Sequence, residues 1–195
     1  GNLVAAHWRG RLAEHLGNFS CELMRTYSAT LLDSPDTLSC LSSALALSQS
    51  ALPEREAYPI VYEGLGIVLN SLDGIDWASV YVKWELLLLR ELGFGLDFSC
   101  CAATGVTSNL NYVSPKSGCA VSREAGEPYK KVMLVLPRFL LEQGVSGSPS
   151  EIVEGLALTG FFLERYVFGQ LNSMNLPAAR QRFSERMRKL QMSNL

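Results

Sequence analysis

Three of the five cysteines, Cys100, Cys101 and Cys119, lie close together in the chain and are the side chains best suited to hold a metal. A structural zinc takes four thiolate or imidazole ligands, usually as two C-x-x-C pairs. Thr104 stands three positions after Cys101, and Ser122 and Ala125 stand where a second pair would, while Cys100 and Cys119 are off that spacing. Buried free thiols are therefore the expectation. The two histidines, His7 and His15, have no carboxylate pair or cysteine at a spacing that would make a catalytic unit. Gly144-Val145-Ser146-Gly147-Ser148 does not centre its serine as a nucleophile elbow requires. Neither a phosphate-cradling glycine loop nor an H-E-x-x-H helix occurs. The acids fall between apolar residues at positions that read as solvated surface. No enzyme is expected, and no cofactor is implied.

What remains is the chemistry of charge. His7, Arg9 and Arg11 alternate along one segment, and Arg180, Arg182, Arg186, Arg188 and Lys189 form the densest basic cluster. The net charge of −2 hides this asymmetry. Residues 33–97 carry ten acids and three bases, whereas residues 160–195 carry two acids and six bases. A basic C-terminal helix on an otherwise acidic chain suggests a phosphate-bearing partner.

The chain of 195 residues, 48% apolar and 18% charged, is long enough to bury a core as one good-sized domain or two small ones. That composition excludes a disordered chain. Apolar runs such as Leu86 to Leu89 are too short to span a bilayer. No apolar signal core is read in GNLVAAHWRGRL. An odd, scattered cysteine set points to a reducing compartment, so a soluble cytoplasmic protein without membrane contact is expected.

Several elements must position these groups. Val4, Ala6, Trp8 and Leu12 alternate with His7, Arg9 and Arg11 as a strand would. A second strand comes after Gly17-Asn18, with Phe19, Cys21 and Leu23 on one face. Two strands are not stable alone, so they must pack on the rest of the chain or belong to a larger sheet. Ser34-Pro35-Asp36 starts a helix to about Leu52, Pro59 starts a second, and Asp76 caps a third that stops at Gly93-Phe94-Gly95. Residues 97–128 break the helical period, with short strands at Asn109 to Val113 and Cys119 to Ser122 joined by a turn-rich tip. Pro137 opens a helical turn. Ser148-Pro149-Ser150-Glu151 is a capping box opening a mostly buried helix that ends by Gly169, and Pro177 opens the last helix. The fold class is mainly α: a helical bundle with a short β-hairpin insertion, preceded by two strands.

The segments ELLLLRELGFGLDFSCCAATG, YVSPKSGCAVSREAGEPY and LTGFFLERYVFG resemble the RecO family of bacterial DNA-repair proteins, in a version without the complete zinc motif. GNLVAAHWRGRLAEHLGNF is similar to the closing strands of that family's N-terminal OB-fold, and ALPEREAYPIVYEGL to its helical segment. The resemblance implies a remnant of the N-terminal OB-fold at residues 1–32, lacking about its first half. It implies a helical domain over residues 33–195 with a degenerate zinc-ribbon-like hairpin at about 97–128. The implied zinc positions are Cys101, Thr104, Ser122 and Ala125, of which only the first is a ligand.

The resemblance also implies a recombination mediator. Such a protein binds single- and double-stranded DNA, anneals complementary strands, associates with RecR, and recognises the acidic C-terminal tail of the single-stranded-DNA-binding protein. A bacterial, nucleoid-associated location and a monomer when alone go with that reading. DNA contacts are expected at His7, Arg9, Arg11, Arg180, Arg182, Arg186, Arg188 and Lys189. A tail ending in an apolar side chain and a free carboxylate needs an apolar slot edged by cations. Lys83, Leu87 and Arg90 share one helical face, with Trp84 as a candidate wall, and are the expected receptor. The rival expectation is a helical protein-binding adaptor that binds no DNA; an unrecognised hydrolase is weaker still.

Overall fold

The computed structural model describes residues 1–11, 16–169 and 175–193. Strands β1 (Asn2–Arg9) and β2 (Asn18–Thr26) form an antiparallel hairpin. Its register pairs Val4 with Leu23, Ala6 with Cys21 and Trp8 with Phe19, so one face is an apolar row and the other carries His7 and Arg9. The apolar row faces solvent: Trp8 and Phe19 pack on each other at 4.9 Å between ring centroids but stay exposed. The base of the hairpin is tied to the helices where Arg25 donates to Asn70 Oδ1 at 2.6 Å. Arg11 lies two residues past the end of β1, so strand geometry does not align it with His7 and Arg9, a correction to the expected three-residue face. Leu12 and His15 lie outside the described residues.

Helices α1 (Pro35–Ala51), α2 (Pro59–Ser71) and α3 (Trp77–Glu91) begin where the prolines and Asp76 place them. Ser34 and Asp76 occupy the N-cap positions, yet neither side chain caps its helix. Asp76 instead accepts a hydrogen bond from Ser146 Oγ, which ties α3 to the loop before the fifth helix. Gly93, at φ +89°, ends α3 in the left-handed region that a side chain disfavours.

The insertion is a three-stranded sheet rather than a hairpin alone. Strands β3 (Leu110–Val113) and β4 (Ala120–Ser122) pair as expected, and a two-residue strand β5 (Leu134–Val135), too short to show a period, pairs with the other edge of β3. A single turn, α4 (Arg123–Gly126), comes directly after β4. Helix α5 (Pro149–Phe162) opens with both hydrogen bonds of the capping box formed. Residues Leu163–Phe168 then continue as a π-helical turn where an α-helix was expected to run to Gly169. Phe162, Leu163, Val167 and Phe168 are all buried; their spacing of five suits an i→i+5 ladder and would splay apart on a 3.6-residue period. Helix α6 (Ala178–Ser193) closes the bundle.

Helix α3 is central, packed on α1, α2 and α5, while α6 lies along α1 and α5. Leu47, Tyr81, Leu88, Leu158, Phe162 and Phe183 are sealed from solvent. Each such side chain contributes about 1.5–3 kcal/mol relative to exposure, which makes this bundle a rigid platform for the groups on its surface. No helix among the described residues is long and apolar enough to cross a membrane.

Candidate functional site

The basic helix is positioned from inside. Phe183 and Met187 are buried and Leu190 half-buried on one stripe of α6, and Arg180 sits on the same stripe three residues before Phe183. It is fully buried, so it does not join the solvent-facing cluster expected for DNA. It forms a buried bidentate pair with Glu85 of α3, through Nε to Oε1 and through Nη2 to Oε2 at 2.9 Å. Nη2 also donates to the Leu156 carbonyl at 2.9 Å, and Thr159 Oγ1 donates to Glu85. Burial disfavours the charged guanidinium, but Glu85 beside it outweighs that and raises the Arg180 pKa. The same site pushes the Tyr81 hydroxyl well up, first through burial and then through Glu85. Tyr81 shares a 2.6 Å hydrogen bond with Ser43 of α1, so one polar network links α1, α3, α5 and α6.

Glu85 thus corrects the reading of all acids as solvated. The spacing held the signal: Tyr81, Glu85 and Leu88 fall at i, i+4 and i+7, as do Arg180 and Met187 at i and i+7. A charged residue on an apolar stripe signals burial, while the opposite charge that meets it is set by how the helices pack.

With Arg180 inside, the outward face of α6 carries Arg182, Arg188 and Lys189, exposed and without an ion pair among the described residues. Arg186 is half-exposed and pairs with Asp36 at the start of α1, which ties up part of its charge. His7 and Arg9 are exposed on the hairpin.

Lys83, Leu87 and Arg90 line one cavity of about 480 Å³. Its floor comes from segments distant in sequence: Leu96 and Phe98 after α3, and Phe139 to Gln143 before α5. Lys83 Nζ stands 5.7 Å from the Phe139 ring centroid, and Arg90 is exposed at the rim beside Glu91 at 3.1 Å. Trp84 does not wall this slot. It is buried between α3 and α2, donating Nε1 to the Val61 carbonyl and packing against Gly64 of α2. Residues 84 and 87 are three apart and both touch α2 at Gly64, but Trp84 is buried whole whereas Leu87 reaches past α2 to line the cavity.

The zinc positions do not fit a zinc ion. Cys101 is buried and its sulfur accepts from the Ser122 N–H at 3.2 Å. Burial raises its pKa, but hydrogen bonds from the Ser122 and Thr104 side chains and from backbone N–H groups outweigh that and bring it to about 6. Hydroxyl donors thus face the sulfur where further thiolates would have to stand, and Ala125 supplies no ligand atom. No group of three or more His, Cys, Asp or Glu side chains that could hold a metal occurs among the described residues. Val113 and Val121 are buried on the two faces of the sheet, and the Tyr112 hydroxyl donates to Glu127 at 3.0 Å.

Comparison with known proteins names this architecture. The family described as Recombination protein O C terminal matches residues 32–175. The chain belongs to the RecO family. It is 51% identical over 191 residues to the DNA repair protein RecO of Rhodospirillum centenum, covering 97% of this chain and 76% of the relative. The RecO of Rhodospirillum rubrum is 44% identical, over 97% of this chain and 77% of the relative. That of Phenylobacterium zucineum is 46% identical, over 92% and 74%. No solved structure matches. Membership of the RecO family gives the chain a role in DNA repair.

Proposed function

We propose that the chain is a non-enzymatic recombination mediator that binds single- and double-stranded DNA, promotes annealing together with RecR, and captures the tail of the single-stranded-DNA-binding protein. The observation that carries DNA binding is the outward face of α6: Arg182, Arg188 and Lys189 project from a helix that the Arg180–Glu85 pair holds in place. Unpaired cations on a rigid element lose little entropy on meeting phosphate, and each neutralised duplex phosphate releases counterions. The hairpin, with His7 and Arg9 on one face, adds a second basic strip as part of an OB-type unit at residues 1–32. Tail capture is assigned to the cavity of Lys83, Leu87 and Arg90, where an apolar side chain enters and a cation meets the terminal carboxylate.

The test is a titration of labelled duplex across a range of salt. Arg182→Gln, Arg188→Gln and Lys189→Gln together are expected to weaken binding and to flatten the log–log salt slope by about 0.9 for each phosphate no longer neutralised. An unchanged slope would make α6 a solvated surface and favour the protein-binding adaptor.

A further inference from the structure

We propose that the sheet of β3, β4 and β5 carries a second contact for single-stranded nucleic acid, in which Tyr129 stacks on a base while Lys116, Lys131 and Arg123 hold phosphates. This rests on the DNA-binding reading above and extends it to a face that neither α6 nor the hairpin supplies.

The charge of this region is one-sided. Residues 110–138 hold five bases against two acids. One of those acids, Glu127, is already committed: Lys130 Nζ pairs with it at 2.6 Å and the Tyr112 hydroxyl donates to it at 3.0 Å. Lys116, Arg123 and Lys131 are exposed and make no ion pair among the described residues. The strand register puts two of them at the same end of the sheet. β3 and β5 are antiparallel with Val113 opposite Leu134, so the turn that carries Lys116 out of β3 and the turn that carries Lys131 into β5 both leave the sheet at that end. Arg123 leaves β4 at the other end of the sheet, where its N–H donates to the Asn109 carbonyl at 2.8 Å, so the exposed cations stand at both ends of the strands.

Tyr129 stands in the middle of this basic stretch, 60% exposed, with Val132 three residues on at 66%. An exposed aromatic flanked by free cations is what a single strand needs: a π-face for an unstacked base and positive charge along the backbone. A duplex has no unstacked base to offer the ring. An acidic peptide would need an apolar slot beside its cation, whereas these side chains are exposed on turns at the ends of the strands.

The face is separate from that of α6. A groove of about 400 Å³ lies between them, lined by Leu134 of β5, Phe161 of α5, and Ser184 and Arg188 of α6, but also by Glu164 and Glu185. Those carboxylates interrupt the positive surface, so the two faces act as distinct contacts. Two contacts on one rigid body can hold two strands near each other, which raises their local concentration for pairing.

Binding of fluorescein-labelled oligo-dT and of a labelled duplex to this chain, each across a salt series, tests the proposal. Tyr129→Ala is expected to weaken oligo-dT binding about tenfold while changing duplex binding by less than about twofold. Lys116→Glu with Lys131→Glu is expected to weaken oligo-dT binding and to flatten its salt slope by about 0.7 for each phosphate no longer neutralised. All three positions are exposed, and unchanged thermal melting confirms that the variants fold. Both variants binding oligo-dT as the parent does, while the triple α6 variant loses DNA, would overturn this inference and leave the mediator reading intact. Failure of the parent to bind either DNA overturns both. An acidic peptide that binds the parent and not the double-lysine variant, with oligo-dT binding unaffected, would reassign the face to protein.

Discussion

Arg180 shows how one residue changes meaning once its neighbours are known. Taken with Arg182, Arg186, Arg188 and Lys189 it is part of a basic cluster; in the fold it is a fully buried cation paired with Glu85. Removing one member of such a pair leaves an uncompensated buried charge, at a cost of about 3–5 kcal/mol. Arg180→Met and Glu85→Leu are each expected to lower urea stability by that order, and the double variant to be markedly more stable than either single one. Additive losses in that cycle would mean the pair is not coupled. Cys101 has a comparable role on a smaller scale, because its sulfur is the acceptor for a buried backbone N–H of Ser122. Cys101→Ala is expected to cost about 1–3 kcal/mol through that orphaned donor. Elemental analysis of the parent protein is expected to find no zinc that survives dialysis, since a single thiolate among hydroxyls and an alanine is no tetrahedral set.

Among the elements, α5 depends most visibly on its first turn. Ser148 Oγ accepts from the Glu151 N–H, and the Glu151 carboxylate accepts from the Ser148 N–H at 2.9 Å and from the Arg138 N–H at 3.2 Å. One side chain thereby caps α5 and fixes the preceding turn, which forms part of the Lys83–Arg90 cavity. Partial burial raises the Glu151 pKa, but the donors at Ser148, Arg138 and Phe139 outweigh it and hold the carboxyl below its ordinary value of 4.5. A depressed acid stabilises the fold above its unfolded pKa, and that contribution is lost as pH falls through the folded value. Ser148→Ala is expected to cost about 0.5–2 kcal/mol near neutrality. Glu151→Gln is expected to flatten the stability curve on its acid side below about pH 4.5, where the parent loses the same contribution by protonation. A Gln variant whose acid limb parallels that of the parent would place the titrating group elsewhere.

At the scale of the whole molecule, charge is sorted by region: an acidic run over residues 33–97 and a basic one over residues 160–195. Within the acidic run, Lys83 and Arg90 are two of only three bases, and both edge the same cavity. Lys83→Glu with Arg90→Glu is expected to abolish binding of a peptide carrying an acidic, apolar-ended C-terminal tail, with helical content unchanged by circular dichroism. DNA binding through α6 should survive that change. If the peptide still binds with parental affinity, the slot is not its receptor and the exposed bases Lys116 and Arg123 become the next positions to reverse. Loss of both peptide and DNA binding would instead indicate a shared surface.

The elements that depend on local physics were legible in the residues alone. Pro35 and Pro59 open helices because a missing N–H costs nothing there, and Ser148 with Glu151 spells a cap whose partners are three residues apart. Gly93 ends α3, and the alternation of Val4, Ala6 and Trp8 shows which residues share a strand face. Lys83, Leu87 and Arg90 could be aligned because helical spacing is also local. The rest depended on which flank of each helix another element covers. α2 buries Trp84, so Trp84 is core and not a slot wall; Leu87 touches α2 as well but also lines the cavity that Leu96, Phe98 and Phe139–Gln143 complete. β5 is too short to carry a period and exists only because β3 offers it an edge. The inward turn of Arg180 needed its partner across 95 residues of chain, and no local pattern ties Glu85 to it. Local preference decides what an element is, whereas the burial of opposite charges and apolar faces, settled only when elements meet, decides which of its side chains remain available for function.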